Sequence, residues 1–156
     1  MSETTALLAL LQIADSAFPA GGFAHSSGLE QLVHDGVVTD PAGVERFASS
    51  LLRHSVATGD AVATANAARA IADADVTSIL RVDRALFVTK ATSEVRDAST
   101  SMGRRLLQEA AAHLDEPLLN ALVGAVQAGS TPGTHAVAFG AIGGALGATP
   151  GQCAGA

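Results

Sequence analysis

The chain has no tryptophan, no tyrosine, one cysteine and one lysine in 156 residues, and each shortage argues against a class of function. With Phe the only aromatic (5 residues), there is little on which nucleic-acid bases could stack. The 15 acidic residues outnumber 9 basic ones, and a formal charge of −6 disfavours a phosphate-backbone partner. Cys153 stands alone and cannot form an internal disulfide, which fits a reducing cytoplasm. Long apolar runs are also missing. The leucines at 7–11 follow Glu3 rather than the positive charge of a secretory signal. The late apolar stretch 135–148 is interrupted by Gly140, Gly143, Gly144 and Gly147, and it falls short of the ~20 helical residues of a bilayer span. The expectation is a cytoplasmic chain with no membrane contact and no nucleic-acid partner.

What is present is alanine, leucine and 16 glycines, with 48% hydrophobic and 15% charged residues. A core built from such small side chains implies closely approaching helices. No segment alternates with the period of a strand, and no helix pair repeats at a fixed interval. The expected fold is all-α, a single irregular helical bundle of about seven or eight helices over residues 1–148, with 149–156 as a disordered tail.

Helix starts and stops can be read along the chain. A first helix at 5–14 carries Leu7, Leu8, Leu10 and Leu11, an apolar surface broad enough for a core element. Pro19, Gly21 and Gly22 then break the helix, since proline lacks a donor and glycine permits positive φ. Ser27-Gly28-Leu29-Glu30 has the Ser-x-x-Glu form of a capping box, which predicts a second helix ending at Gly36 with Leu29, Leu32 and Val33 inward. Asp40-Pro41 predicts a cap and a first-turn proline before the stripe Val44, Phe47, Ala48, Leu51, Leu52. Gly59-Asp60 is expected to interrupt that helix, and an Ala-rich helix follows at 61–72. Asp75 predicts the cap of the next helix, with Val76, Ile79, Leu80, Leu86 and Phe87 on one stripe.

A long helix is expected at 93–113. Gly103 inside it costs about 1 kcal/mol relative to alanine, so either a neighbouring backbone comes close or the helix bends there. Pro117 opens a short helix to about Ala128, residues 129–133 form a turn, and a last helix at 134–146 carries Gly140-x-x-x-Gly144.

Motifs for chemistry are scarce. Lys90-Ala91-Thr92 has no glycine loop before it, so a phosphate-binding loop is not supported. His25, His34, His54, His113 and His135 show neither His-Glu-x-x-His spacing nor a Cys-x-x-Cys partner, which leaves no metal motif and no implied cofactor. Ser26 and Ser27 beside His25 lack a nucleophile elbow, and no enzyme is expected.

Three stretches together resemble a known family. Leu11-Gln12-Ile13-Ala14-Asp15-Ser16 running into Pro19-x-Gly21-Gly22-Phe23-x-His25-Ser26-x-Gly28-Leu29-Glu30 resembles the opening of urease accessory protein F. Lys90 to Arg96, followed by Ser101-Met102-Gly103-Arg104-Arg105-Leu106-Leu107, is similar to that family's long helix. His135-Ala136-Val137-Ala138-Phe139-Gly140 is similar to a later segment. The resemblance covers nearly all of this chain and about the first two thirds of the family's usual length.

It implies a non-catalytic scaffold joining accessory proteins D (called H in some organisms) and G in a GTP-dependent complex that inserts nickel into apo-urease, with homodimerisation left open. Partner contacts would fall on Phe23, His25, Ser26 and Glu30 around the Gly-Gly loop, with Arg96 and Arg104 on the long helix as a second patch. Pro19, Gly21, Gly22, Ser27, Gly28, Gly103 and Gly140 would shape the backbone. The alternatives are a nickel-binding or storage module using His25, His34, His113 and His135, and a non-functional truncated fragment.

Overall fold

In a computed structural model of the chain, described over residues 3–15, 17–20 and 26–156, all regular structure among the described residues is helical. The elements are α1 (Glu3–Ala14), α2 (Leu29–His34), α3 (Pro41–Leu51), a π-helical segment (Leu52–Asp60), α4 (Ala61–Ala72) and α5 (Val76–Thr89). They continue with α6 (Ser93–His113), α7 (Pro117–Gln127), α8 (His135–Ala145) and α9 (Pro150–Gly155).

Capping chemistry sets several of these boundaries as read from the sequence. The Asp40 carboxylate accepts from the Gly43 amide at 2.6 Å, with Pro41 in the first turn of α3. Asp75 accepts from the Ser78 amide at 3.0 Å and the Ser78 hydroxyl at 2.6 Å. The Thr92 hydroxyl caps α6 through the Val95 amide at 3.3 Å. At the end of α2, Gly36 (φ 70°) closes the helix, with Val37 N donating to Leu32 O at 2.9 Å.

The centre is the pair α4 and α8, whose approach depends on glycine. A Cβ on Gly140 would lie 2.2 Å from Thr64 O, and one on Gly144 would lie 2.8 Å from Ala68 O. The Gly-x-x-x-Gly spacing therefore brings two helices into backbone contact, reinforced by the Thr64 hydroxyl donating to Ala136 O at 3.0 Å. Gly103 does the same on α6, where a Cβ would sit 2.2 Å from Gly133 O and 2.7 Å from His135 N. The reason for a mid-helix glycine is thus a close neighbouring backbone. Leu10, Ile79, Leu106, Leu107, Leu119, Leu122 and Ile142 fill the remaining core.

Six expectations need correction. On α1, Ala6 and Leu10 are buried, but Leu8 and Leu11 are 63% and 53% exposed, so the helix lies on the core with one face only. The capping box at Ser27 does not form: Gly28 (φ 95°) is the N-cap of α2 with no side-chain bond, and Ser27 itself has φ 54°. A side-chain N-cap has extended backbone, and neither residue does. No residue of α2 is fully buried, and Val33 is exposed.

The stripe of α3 is only partly covered: Phe47 and Leu51 are half-buried, Val44, Ala48 and Leu52 are exposed, and Gly43 is the one buried residue on the helix. Gly59-Asp60 does not interrupt the helix: α3, the π-helical segment and α4 run on as one rod, with right-handed helical backbone at both junctions. Finally, 149–156 is not a disordered tail. Thr149 and Gln152 form a reciprocal capping box opening α9, and Cys153 is buried against Gly143. That burial raises the thiol's pKa above its ordinary value.

Glycine at the helix crossing should be irreplaceable, while glycine in open space should not. Gly140→Ala is expected to destabilise the fold by about 2 kcal/mol or more. Gly124→Ala, which meets nothing within 4 Å inside α7, should stabilise it by about 0.5–1 kcal/mol. Urea denaturation of the two variants beside wild type checks both signs.

Candidate functional site

The α4–α8 rod pair, α6 and the ends of α1 and α9 leave two adjoining cavities on one side of the bundle. The first, about 510 Å³, lies among Ile13, Phe18, Ala20, Phe139 and Cys153. The second, about 620 Å³, lies among Ser26, Leu51, Ser55, Thr92, Val95 and Ala98. Val56, Asp60, Met102 and His135 line both and form their common floor.

That floor carries a shielded ion pair. Lys90 Nζ lies 2.8 Å from Asp60 Oδ1, with the two side chains 11% and 27% exposed. The corner between α5 and α6 holds the lysine in place: Arg96 Nη1 donates to Lys90 O at 2.6 Å, and its guanidinium lies 5.8 Å from the Phe87 ring centre. Beside the pair, the His135 ring stacks on Phe139 at 6.3 Å between centroids. Burial lowers the pKa of His135. The Asp60 carboxylate opposes that shift and the Lys90 ammonium adds to it.

His135 opens α8, and the start of α8 is set from below by Asp83. This carboxylate is fully buried on the apolar stripe of α5 between Ile79 and Leu86. It accepts from the Thr131 hydroxyl at 2.6 Å and the Gly133 amide at 2.7 Å on one oxygen. On the other it accepts from the Thr134 amide at 2.8 Å and the Thr134 hydroxyl at 2.6 Å. Arg84 holds Ser130 O through two bonds, and Arg104 Nε donates to Pro132 O at 3.0 Å.

The residues singled out from the sequence fall into distinct places. Gly21, Gly22, Phe23 and His25 lie outside the described residues. Ser26, Ser27 and Gly28 border the second cavity, Glu30 is exposed on the first turn of α2, and Pro19 is exposed before the buried Ala20. Arg96 is half-buried in the α5–α6 corner, and Arg104 is an exposed anchor of the 129–134 turn. The histidines set against nickel are not gathered: among the described residues no three His, Cys, Asp or Glu side chains converge. His113 Nδ1 is instead 2.8 Å from Glu109 O within its own helix. Sequence reasoning missed Asp83, Asp60 and the part Lys90 plays. An acid on an inward apolar stripe was the available signal for Asp83, and the solitary lysine was the one for Lys90.

The structure is thus an all-α domain with two adjoining cavities that share a floor carrying a shielded ion pair. Comparison with known sequences says which one. The UreF family profile matches residues 38–156. Urease accessory protein UreF 2 of Brucella canis is 35% identical over 134 residues, which cover 86% of this chain and 55% of that protein. Urease accessory protein UreF of Trichodesmium erythraeum is 34% identical over 141 residues, covering 90% and 61%. That of Paenarthrobacter aurescens is 35% identical over 145 residues, covering 93% and 62%. The chain belongs to the UreF family. It spans a little over half the length of these curated relatives.

His135 gives the floor a pH signature. Because its folded-state pKa is lowered, the unfolded chain takes up the proton first as pH falls through the ordinary value of 6.5. The contribution is complete above that value and is lost progressively below it. Thermal melts at pH 7.5 and 5.5 should show a smaller drop in Tm for His135→Gln than for wild type. Equal drops would contradict the assignment.

Proposed function

We propose that this chain serves urease maturation as a non-catalytic scaffold in the cytoplasm. It joins accessory proteins D/H and G in a GTP-dependent complex that delivers nickel to apo-urease. Membership of the UreF family is the observation that carries this reading, since the relatives it matches are named urease accessory proteins. The cavity pair supports it by offering concave surface bordered by the loop residues Ser26 to Gly28. Phe23, His25, Ser26 and Glu30 make the first contact patch, and Arg96 and Arg104 on α6 are a second one. Phosphate chemistry belongs to the GTPase partner, which accords with the lack of a phosphate loop in this sequence.

Pull-down of the chain with accessory proteins D/H and G, and urease activity in nickel-supplied cells lacking the endogenous scaffold, test the proposal. Capture of either partner is expected. Glu30→Gln should retain the helix content by circular dichroism while weakening capture several-fold. No capture together with tight stoichiometric nickel binding by the isolated chain would replace the scaffold with a nickel-binding module.

A further inference from the structure

Helix α3 and the first residues of the π-helical segment carry a face that the scaffold reading does not use. Val44, Ala48 and Leu52 are exposed, and each lies four residues from the next. A row with that spacing runs along one side of a helix, so the three make a continuous apolar edge.

A second row, Glu45, Ser49 and Arg53, runs beside the first. Glu45 and Arg53 are exposed, and neither has an ion pair or a side-chain hydrogen bond among the described residues. Other cations are already committed: Lys90 to Asp60, Arg96 to Lys90 O, and Arg84 and Arg104 to carbonyls of the 129–134 turn. Two turns of helix hold Glu45 and Arg53 about 12 Å apart, too far to pair within one chain. Between them Ser49 and Ser50 floor a shallow groove of about 420 Å³, walled by Glu45 and Arg46 at one end and by Arg53 and His54 at the other. Arg46 has its own counter-charge in Asp40, at 4.0 Å.

Opposite charges at the two ends of a row, with small residues between them, make a surface complementary to itself. Laid antiparallel on a second copy, with a two-fold axis between Ala48 and Ser49, the row sets Glu45 against the partner's Arg53 and Arg53 against the partner's Glu45. The same axis sets Val44 against the partner's Leu52. A parallel pair would instead bring like charges together. At the axis, Ala48 and Ser49 are small enough to let the helices approach closely.

We propose that this face is a homotypic docking surface: two copies of the chain associate through antiparallel α3 helices, held by reciprocal Glu45–Arg53 pairs and the Val44–Ala48–Leu52 edge. The inference rests on the face itself and not on the urease reading. A single helix pair falls below the ~1,200 Å² of a standard interface, so the association is weak and depends on concentration.

Sedimentation velocity of the full chain at rising concentration is expected to show a shift from monomer to dimer. Glu45→Arg sets two cations against each other and Arg53→Glu sets two anions, and each should weaken association about tenfold or more while circular dichroism shows the helix content kept. An equal mixture of the two variants should restore it, because each supplies the charge that the other lacks. A wild type that stays monomeric, single variants that associate as wild type does, or a mixture that does not recover would each overturn the proposal. If either variant does not fold, disulfide capture reads the same pairing, Cys153 being buried. Ala48→Cys, at the axis, should give a covalent dimer under mild oxidation, while Gln108→Cys, exposed on α6, should not. Equal yields from these two would overturn the proposal as well.

Discussion

Four donors converge on one buried carboxylate, and the bundle is arranged around that fact. Asp83 draws the Thr131 hydroxyl, the Thr134 hydroxyl and two backbone amides of the 129–134 turn onto α5. A buried acceptor-only group is tolerable when each lone-pair direction is met, and an unmet donor in the same place costs about 1–3 kcal/mol. The turn is therefore held in one conformation, and α8 begins where it ends. Arg84 and Arg104 add bonds from two different helices to the same turn, so a short connection is specified more heavily than most of the core.

From that origin the rest follows by steric necessity. With the turn fixed, Gly133 and Thr134 pass directly over Gly103, and α8 enters the bundle at backbone-contact distance from α6. One turn and a half later Gly140 meets Thr64 on α4, with Gly144 and Ala68 a further turn on. A chain this poor in aromatics has few large side chains to bury, and it makes up contact area through small residues that let backbones approach. His135, the first residue of α8, arrives at the shared floor of the two cavities beside Asp60 and Lys90 as a result of the same placement.

Much of this was legible in the sequence where the signal is local. Asp40-Pro41, Asp75 and the span 93–113 depend on capping and periodicity within one helix, and they fold as written. Gly103 and Gly140 announced close contact because glycine inside a helix needs a reason. The failures are also physical. Ser27 and Glu30 have capping-box spacing, but the left-handed backbone at Ser27 and Gly28 does not allow the box. The residues 149–156 looked patternless because a six-residue helix is too short to show periodicity, yet Thr149-Pro150 with Gln152 held a start signal. Asp83 and the Lys90–Asp60 pair join residues 30 or more positions apart, and no local pattern reports such pairing. The cavity floor was hidden for the same reason, whereas the family could be recognised because its motifs are contiguous.

Asp83 is the residue on which the arrangement of the turn and α8 most directly depends. Asparagine in its place keeps the shape but turns one acceptor into a donor, facing either the Thr131–Gly133 pair or the two Thr134 donors. Amide hydrogen exchange at Gly133, Thr134 and His135 in wild type and Asp83→Asn reads the result. The prediction is core-level protection in wild type and protection reduced by orders of magnitude at these three amides in the variant, with global stability lower by about 3 kcal/mol or more. Unchanged protection there in the variant would contradict the central place given to this carboxylate.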